Sequence, residues 1–349
     1  HILMNNKKIK LAVVGIGVMG LKHIDAINKV GNAELAAVVD FEESATIRKI
    51  NCSYFPTIKQ MFKSNAVDGV IVATPNSSHF KDGIEVIKNE CAVLIEKPIT
   101  IRSKDTEKLI SEAKKKKVQI LVGHHRRHNP IMHKAKEIID DNILGKIRTI
   151  NINCQMFKPD TYFKQANWKK NDGAGPVFVN LIHDLDLMNF LFGKIIKVFS
   201  ISKNSIRGFE NEDVSGAVLE FQKGIIATFL TSDSVASPWS WELTARENEI
   251  YPSTEESSYL IGGTKASLSL PNLKLWQHTK NGHWFTPISI TKYPYKFSDP
   301  LVNQIEHFCD VIQKKKKPII TASIANETIK VIEAIKLSSK TKKLVELTY

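Results

Sequence analysis

The stretch KLAVVGIGVMG, residues 10–20, decides the fold, and Asp40 answers it. LAVV at 11–14 is a short apolar run, the pattern of a strand buried on both faces. Gly15, Gly17 and Gly20 follow at once in the spacing G-x-G-x-x-G, and residues 21–30 then read as a helix. In that setting the first glycine permits a tight turn, the second lets backbone approach a pyrophosphate, and the third lets helix and strand pack closely. The helix N-terminus offers free N–H groups and a positive dipole end to the pyrophosphate. Val18 and Met19, inside the loop, belong to the same cofactor-binding set. A second strand, residues 35–39, ends in Asp40, where a carboxylate can accept hydrogen bonds from ribose hydroxyls. That carboxylate would repel a 2′-phosphate, and FEE at 41–43 has no arginine to receive one. The dinucleotide implied is NAD over NADP.

Length and composition set the frame. At 349 residues the chain is long for one core, so two domains are expected. No apolar run approaches the roughly 20 residues needed to span a bilayer. Residues 1–8 lack the apolar core and cleavage site of a signal peptide, and in HILM the first three residues read as extra ahead of Met4. Cys52, Cys91, Cys154 and Cys309 are scattered without a CxxC, which suggests neither a disulfide framework nor a zinc ribbon, and a reduced cytoplasm is the expected location. The net charge of +13 is overwhelmingly lysine. Its dense runs at 114–117 and 314–317 fall where helices are expected to end, a favourable place for cations, and neither is interleaved with aromatics or arginine. A solvated surface is implied, with neither nucleic acid nor membrane as a partner.

In chain order, helices are expected at 43–50, 58–63, 79–89 and 103–117, and strands at 67–74, 92–95 and 118–122. This alternation spells a doubly wound parallel sheet. Ligands of such sheets sit outside the carboxyl ends of the strands. Residues 15–20, Asp40, Thr74-Pro75-Asn76, Glu96-Lys97-Pro98 and 123–127 all fall at such ends. The second half changes character. After a helix at 130–141, alternating runs at 146–154, 197–203, 214–221 and 225–232 predict a largely antiparallel sheet with one embedded helix at 176–192. Helices at 303–313 and 321–339 and a strand at 343–347 complete it. The expected division is residues 5–125 and 126–349.

Three groups of residues could carry chemistry. Lys97, between Glu96 and Pro98, can hydrogen-bond a substrate hydroxyl and a cofactor ribose, and its X-Pro bond is a candidate for the cis form. His183 lies in PVFVNLIHDLDLMNFLF, with Pro176 in the first turn and Gly193 past the end. Residues 178, 181, 182, 185, 188 and 191 form an apolar stripe there, while Asn180, His183, Asp184 and Leu187 share another face. A histidine is well matched to taking an alcohol proton, though from these residues alone a core histidine satisfied by Asp186 or a carbonyl is the commoner reading. The cluster His124, His125, Arg126, Arg127, His128, with His133 nearby, carries two arginines that would repel a metal ion, so it reads as a hydrogen-bonding surface and no metal is expected. Trp168, Asp172 and Trp239 are candidate sugar contacts.

Taken together, GIGVMG at 15–20, ATPNSSH at 73–79, EKP at 96–98, GHHRRHNP at 123–130 and GAGPVFVNLIHDLD at 173–186 resemble the glucose-fructose oxidoreductase/inositol dehydrogenase (Gfo/Idh/MocA) family over nearly the whole chain. The resemblance implies an α/β chain with a Rossmann domain and then an α/β domain whose open, mostly antiparallel sheet often serves oligomerisation, hence a homodimer or homotetramer. It implies NAD(P)-linked hydride transfer at a sugar or cyclitol hydroxyl, with Lys97 and His183 catalytic. Thr74, Pro75, Asn76, His79, Glu96, Lys97 and Arg126 join the glycine loop and Asp40 in binding cofactor, and Lys97, His125, Arg127, Trp168, Asn180 and His183 face substrate. One departure stands out: many members carry an aspartate four residues before the histidine, where this chain has Val179. Two expectations follow: a relay through Lys97 and His183 alone, with Asn180 orienting a hydroxyl, or an impaired activity. A non-catalytic dinucleotide-dependent sensor and a glycosidase that uses NAD transiently are the rival expectations.

Overall fold

In the computed structural model the described residues are 8–64, 66–280 and 282–349. HILM, Met4 and the start of the first expected domain lie outside them, as do Asn65 and Asn281.

The chain opens with β1 (Ile9–Val14), α1 (Val18–Lys29), β2 (Ala33–Val39), β3 (Ser53–Phe55), α2 (Ile58–Ser64), β4 (Gly69–Val72), α3 (His79–Lys88), β5 (Ala92–Glu96), α4 (Ser103–Lys116) and β6 (Ile120–Gly123). The six strands form one parallel sheet in the order β3-β2-β1-β4-β5-β6. β4 and β6 are buried at every position, and β1 and β5 at nearly every one, as a sheet covered by helices on both faces requires. Each fully buried Leu, Ile or Val there contributes about 1.5–3 kcal/mol. Two local readings need correction. Residues 43–50 hold only a single turn, Ile47–Lys49, which Ser44 opens by accepting the Ile47 N–H on Oγ and which ends where the chain straightens to pair with β2 from Ser53. Strand β3 was not expected. It is three residues long, too short to show a period, and is recruited by pairing with β2 at Ala37–Val39.

Next come α5 (Pro130–Asp140), β7 (Ile147–Gln155), α6 (Asp160–Lys164), α7 (Pro176–Val179), α8 (Leu181–Phe192), β8 (Ile195–Asn204), β9 (Glu212–Phe221), β10 (Ile226–Ser232), α9 (Trp241–Thr244), β11 (Tyr259–Gly263), β12 (Ser267–Leu270), β13 (Lys274–His278) and β14 (Ile288–Lys292). After α10 (Pro300–Ile312) and α11 (Ala322–Thr341), β15 (Val345–Glu346) returns to the second sheet. That sheet has nine strands in the order β14-β13-β12-β11-β7-β10-β9-β8-β15, antiparallel except where β10 runs parallel to β7. An α/β chain with a Rossmann sheet and a mostly antiparallel second sheet is therefore what the structure holds.

The expected division at 125/126 follows the change in patterning. By contacts, the described residues up to 128 together with 298–329 form one compact unit, and those of 129–297 with 330–349 the other. Within the first, α10 packs on α1 and on the turn His125–His128. Asn303 Nδ2 donates to the His128 carbonyl at 3.0 Å, and a Cβ on Gly69 would meet Ile312 Cδ1 at 2.5 Å. The bare backbone at Gly69 is what lets α10 approach the sheet.

The single helix expected at 176–192 is two, broken at Asn180 (φ −106°, ψ −58°). α7 docks on β9 and β10, whereas α8 docks on α5 and β7. α8 has no exposed stripe: every residue from Leu181 to Met188 is buried, His183, Asp184 and Asp186 included. The helix is walled on both sides, so the stripe read from the sequence marks no solvent boundary.

Candidate active site

Every cofactor residue expected from the sequence lies in the first unit, at the carboxyl end of its parallel sheet. Gly15 has φ +86°, and a Cβ on it would sit 2.7–2.8 Å from the backbone of Ala73 and Thr74. A Cβ on Gly20 would stand 2.0 Å from the Gly15 carbonyl oxygen. Gly17 differs: it is the N-cap of α1, makes no side-chain cap, and its Cβ would meet nothing within 4 Å. Two glycines thus close the turn and the third opens a cradle. No acid occupies the first turn of α1, where Val18 is exposed and Met19 half-buried. Uncapped N–H groups under an open glycine suit a pyrophosphate, so the residues present fit a dinucleotide. The Asp40 carboxylate accepts the Ile16 N–H at 2.7 Å and the Phe41 N–H at 2.8 Å, while the Tyr54 hydroxyl donates to the Asp40 carbonyl. The acid that would face the ribose also ties down the glycine loop.

The turn after β4 is clamped. Thr74 Oγ1 donates to Asp82 Oδ2 at 2.8 Å, and the ring nitrogens of buried His79 lie 2.7 Å from the Pro98 and Thr74 carbonyl oxygens. Both nitrogens being so committed, what His79 brings to the site is a fixed position for Thr74, Pro75 and Asn76 beside the 96–98 segment.

At the end of β5 the Lys97-Pro98 bond is cis and Lys97 is half-buried. Glu96 is 4 % exposed. Its Oε1 meets His23 Nε2 at 2.7 Å and its Oε2 accepts the Lys97 N–H at 3.1 Å. Burial alone would raise the Glu96 carboxyl, but the hydrogen bond and charge of His23, with the fields of His125 and Lys97, outweigh it and hold the pKa at about 2. An anion so stabilised accepts hydrogen bonds only, so the imidazole is the donor. Arg126 and Arg127 are buried in the turn His125–His128, while His125 is half-buried.

The second unit holds Asn180, His183 and Trp168. Glu212, at the start of β9, accepts the Val177 N–H at 3.1 Å, and a Cβ on Gly175 would lie 2.2 Å from its Oε1. Burial raises the Glu212 carboxyl, ahead of backbone hydrogen bonds that lower it. Asn180 then begins α8, and its carbonyl accepts the His183 N–H at 3.1 Å. Beside His183, the buried Asp184 accepts a hydrogen bond from the Tyr259 hydroxyl of β11. Tyr259 stacks on Trp241, whose indole N–H donates to Glu247, which also receives the Asn129 amide. Trp168 is 51 % exposed and Trp239 42 %, while Asp172 is exposed and 3.5 Å from Lys336 Nζ. Among the described residues no group of three His, Cys, Asp or Glu is placed to hold a metal ion.

Sequence reasoning missed His23, Glu212 and Tyr259. His23 had a signal: it lies three residues after Gly20 on the buried face of α1, with Ile24 and Ile27. Glu212 and Tyr259 had none, since their partners lie 35 and 75 residues away.

A family model described as "Oxidoreductase family, NAD-binding Rossmann fold" matches residues 9–124, and one described as "Oxidoreductase family, C-terminal alpha/beta domain" matches 136–347. The chain is 28% identical over 271 residues to a 2,7-anhydro-N-acetylneuraminate hydratase of Escherichia coli, which spans 75% of this chain and 67% of the relative. It is 23% identical over 329 residues to the NAD+-linked scyllo-inositol 2-dehydrogenase of Bacillus subtilis, spanning 90% of this chain and 89% of the relative. The crystal structure of the WlbA dehydrogenase of Bordetella pertussis in complex with NADH and UDP-GlcNAcA superimposes with a TM-score of 0.79 at 20% identity, over 98% of this chain and 100% of that one.

Proposed function

The chain belongs to the Gfo/Idh/MocA family of NAD-dependent oxidoreductases, and on that premise we propose that it oxidises a secondary hydroxyl of a sugar, sugar derivative or cyclitol through Lys97 and His183. The observation that carries this is the arrangement of the first unit. The open glycine cradle, Asp40 and Lys97 all stand at the carboxyl ends of one parallel sheet, where such sheets bind ligands.

Gly15, Gly17, Val18, Met19 and Gly20 would hold the pyrophosphate, Asp40 the ribose, and Thr74, Pro75, Asn76, Glu96, Lys97 and Arg126 the remainder, with His79 fixing their turn. Bound NAD supplies the hydride acceptor. Lys97 donates a hydrogen bond to the substrate oxygen and stabilises the negative charge that grows there. His183 takes the hydroxyl proton as the carbonyl forms and the C–H bond gives up its hydride, which balances protons and electrons. With Val179 where an aspartate is usual, His183 receives the proton without a carboxylate four residues before it, and Asn180 orients the hydroxyl. His125, Arg127 and Trp168 contact the rest of the substrate.

A second reading comes from the hydratase relative, since a hydration is not a net oxidation. In it the same residues oxidise the substrate and eliminate a group beside the new carbonyl, water adds across the resulting double bond, and the hydride is returned, so NADH does not accumulate. Both readings are tested by NADH absorbance and product analysis over inositols, sugars, sugar acids and 2,7-anhydro-N-acetylneuraminate. Net NADH with one class of polyol supports the dehydrogenase. Conversion without net NADH supports the redox-neutral cycle. Lys97→Ala and His183→Ala should each lower kcat about 100-fold or more while NAD+ still shifts the melting temperature. Full activity in both variants overturns the assignment, and NAD+ binding without turnover of any substrate points to a sensor.

Assembly belongs to this reading. The second sheet leaves Val218, Ile226, Leu230 and Leu260 exposed, an apolar face that a second copy would cover in a dimer or tetramer. Light scattering would show a monomer if that is wrong.

A further inference from the structure

We propose that His23 is a positioning residue for Lys97, holding the Glu96 carboxylate so that its second oxygen fixes the lysine's backbone. The importance of Lys97 rests on the function proposed above; the brace itself rests on geometry.

Strand pairing between β5 and β6 ends at Glu96 opposite Gly123. The Lys97 N–H lies one residue past that ladder, and Glu96 Oε2 is what receives it, at 3.1 Å. A side-chain carboxylate bonding the next backbone N–H is a weak restraint unless the carboxylate is itself fixed. Two features fix this one. The wall of β6 is bare at Gly123, where a Cβ would come 2.9 Å from Glu96 Cδ and Oε1, so the carboxylate packs against backbone where a side chain would have displaced it. On the other side His23 Nε2 donates to Glu96 Oε1 at 2.7 Å from a position with no solvent exposure. His23 Nδ1 has no hydrogen-bond partner among the described residues. The ring therefore acts through one atom, which is what a brace needs and a packing residue does not.

His23 stands on α1, one turn after Gly20, and the open cradle at Gly17 begins the same helix. The route from cradle to lysine is then a single rigid helix, one imidazole and one carboxylate. Removing the imidazole leaves a buried carboxylate without its donor, which must take up a proton or turn away. Either change loosens the Lys97 N–H.

The test follows that N–H directly, by hydrogen exchange with fragment-resolved mass spectrometry on the full chain at constant pH. His23→Leu should speed exchange at Lys97 about tenfold or more and leave Leu94, inside the ladder, within about twofold. His23→Gln, whose amide Nε2 reaches as far as the imidazole Nε2, should return Lys97 to within about threefold of the parent, whereas the shorter His23→Asn should not. Unchanged protection in the leucine variant, or equal behaviour of the two amides, overturns the brace. If the leucine variant does not fold, the two amides decide alone, and failure of glutamine to restore protection counts against it. Kinetics on any polyol turned over should show kcat lowered about tenfold or more in His23→Leu. Lys97→Ala in the same assay separates the two claims. An active Lys97→Ala sinks the catalytic role and leaves the exchange result standing, while normal exchange in His23→Leu sinks the brace and leaves the catalytic role untouched.

Discussion

The glycine loop at 15–20 and the histidine helix at 176–192 are built from different materials. The loop is backbone against backbone: the groups that exclude a side chain at Gly15 and Gly20 are main-chain atoms of Gly15, Ala73 and Thr74, none able to move aside. The helix is side chain against side chain. Glu212 takes its first N–H, Tyr259 holds Asp184, and every residue from Leu181 to Met188 is buried. A loop of the first kind is written in consecutive residues and tolerates no substitution at its closing glycines. A helix of the second kind depends on distant strands, and its losses should be graded.

The largest effect should come from Gly20→Ala, where the new methyl would stand 2.0 Å from the Gly15 carbonyl oxygen. Over-packing against immovable backbone should cost about 3 kcal/mol or more and abolish NAD+ binding, read by melting and by titration. Gly17→Ala sharpens the contrast: with nothing within 4 Å of the new methyl, stability should stay within about 0.5 kcal/mol while NAD+ affinity falls. If both variants melt alike, the distinction between closing and cradling glycines is wrong.

Glu96 gives the next effect, through acid. Its folded pKa of about 2 lies below the ordinary 4.5, so the folded chain holds that proton more weakly than the unfolded one. Its contribution is complete above about pH 5 and lost as pH falls toward 2, worth on the order of 3 kcal/mol. Glu96→Gln should flatten that acid limb in denaturant titrations at pH 3–6.

In the second unit, Tyr259→Phe removes a hydroxyl that donates to the buried Asp184. A loss of about 2 kcal/mol is expected, measured by urea unfolding. Glu212 should give the smallest change, with the opposite pH sign to Glu96. Its carboxyl is raised by burial, so the folded state binds that proton more tightly and stability declines as pH climbs through the raised value. Glu212→Gln keeps an oxygen for the Val177 N–H, should cost under about 1 kcal/mol, and should remove that decline. A large loss would mean that the charge, and not the hydrogen bond, seats α7.

The contrast also explains what could be read in advance. The cradle, Asp40 and the Lys97 strand end were legible because each is a local pattern: a strand, a turn that only glycine can make, and the next strand's end. Residues 43–50 misled because the turn that Ser44 caps is cut short where the chain leaves to pair with β2, a tertiary demand that helix spacing does not register. The helix at 176–192 misled for the reverse reason. Its pattern is helical throughout, and the break at Asn180 arises because α7 and α8 dock on different elements.

By itself, then, the sequence determined the parallel sheet and the dinucleotide loop, because these follow from spacing and from what glycine alone permits, while the family, and with it the roles proposed for Lys97 and His183, came from the resemblance of whole motifs. Only the tertiary structure decided that His23 stands on Glu96, that His79 is a clamp, and that Glu212 and Tyr259 seat the histidine helix. Those are contacts between residues 19 to 75 positions apart. Nothing in a chain's local pattern selects one buried partner over another until packing has removed the water that would otherwise satisfy both.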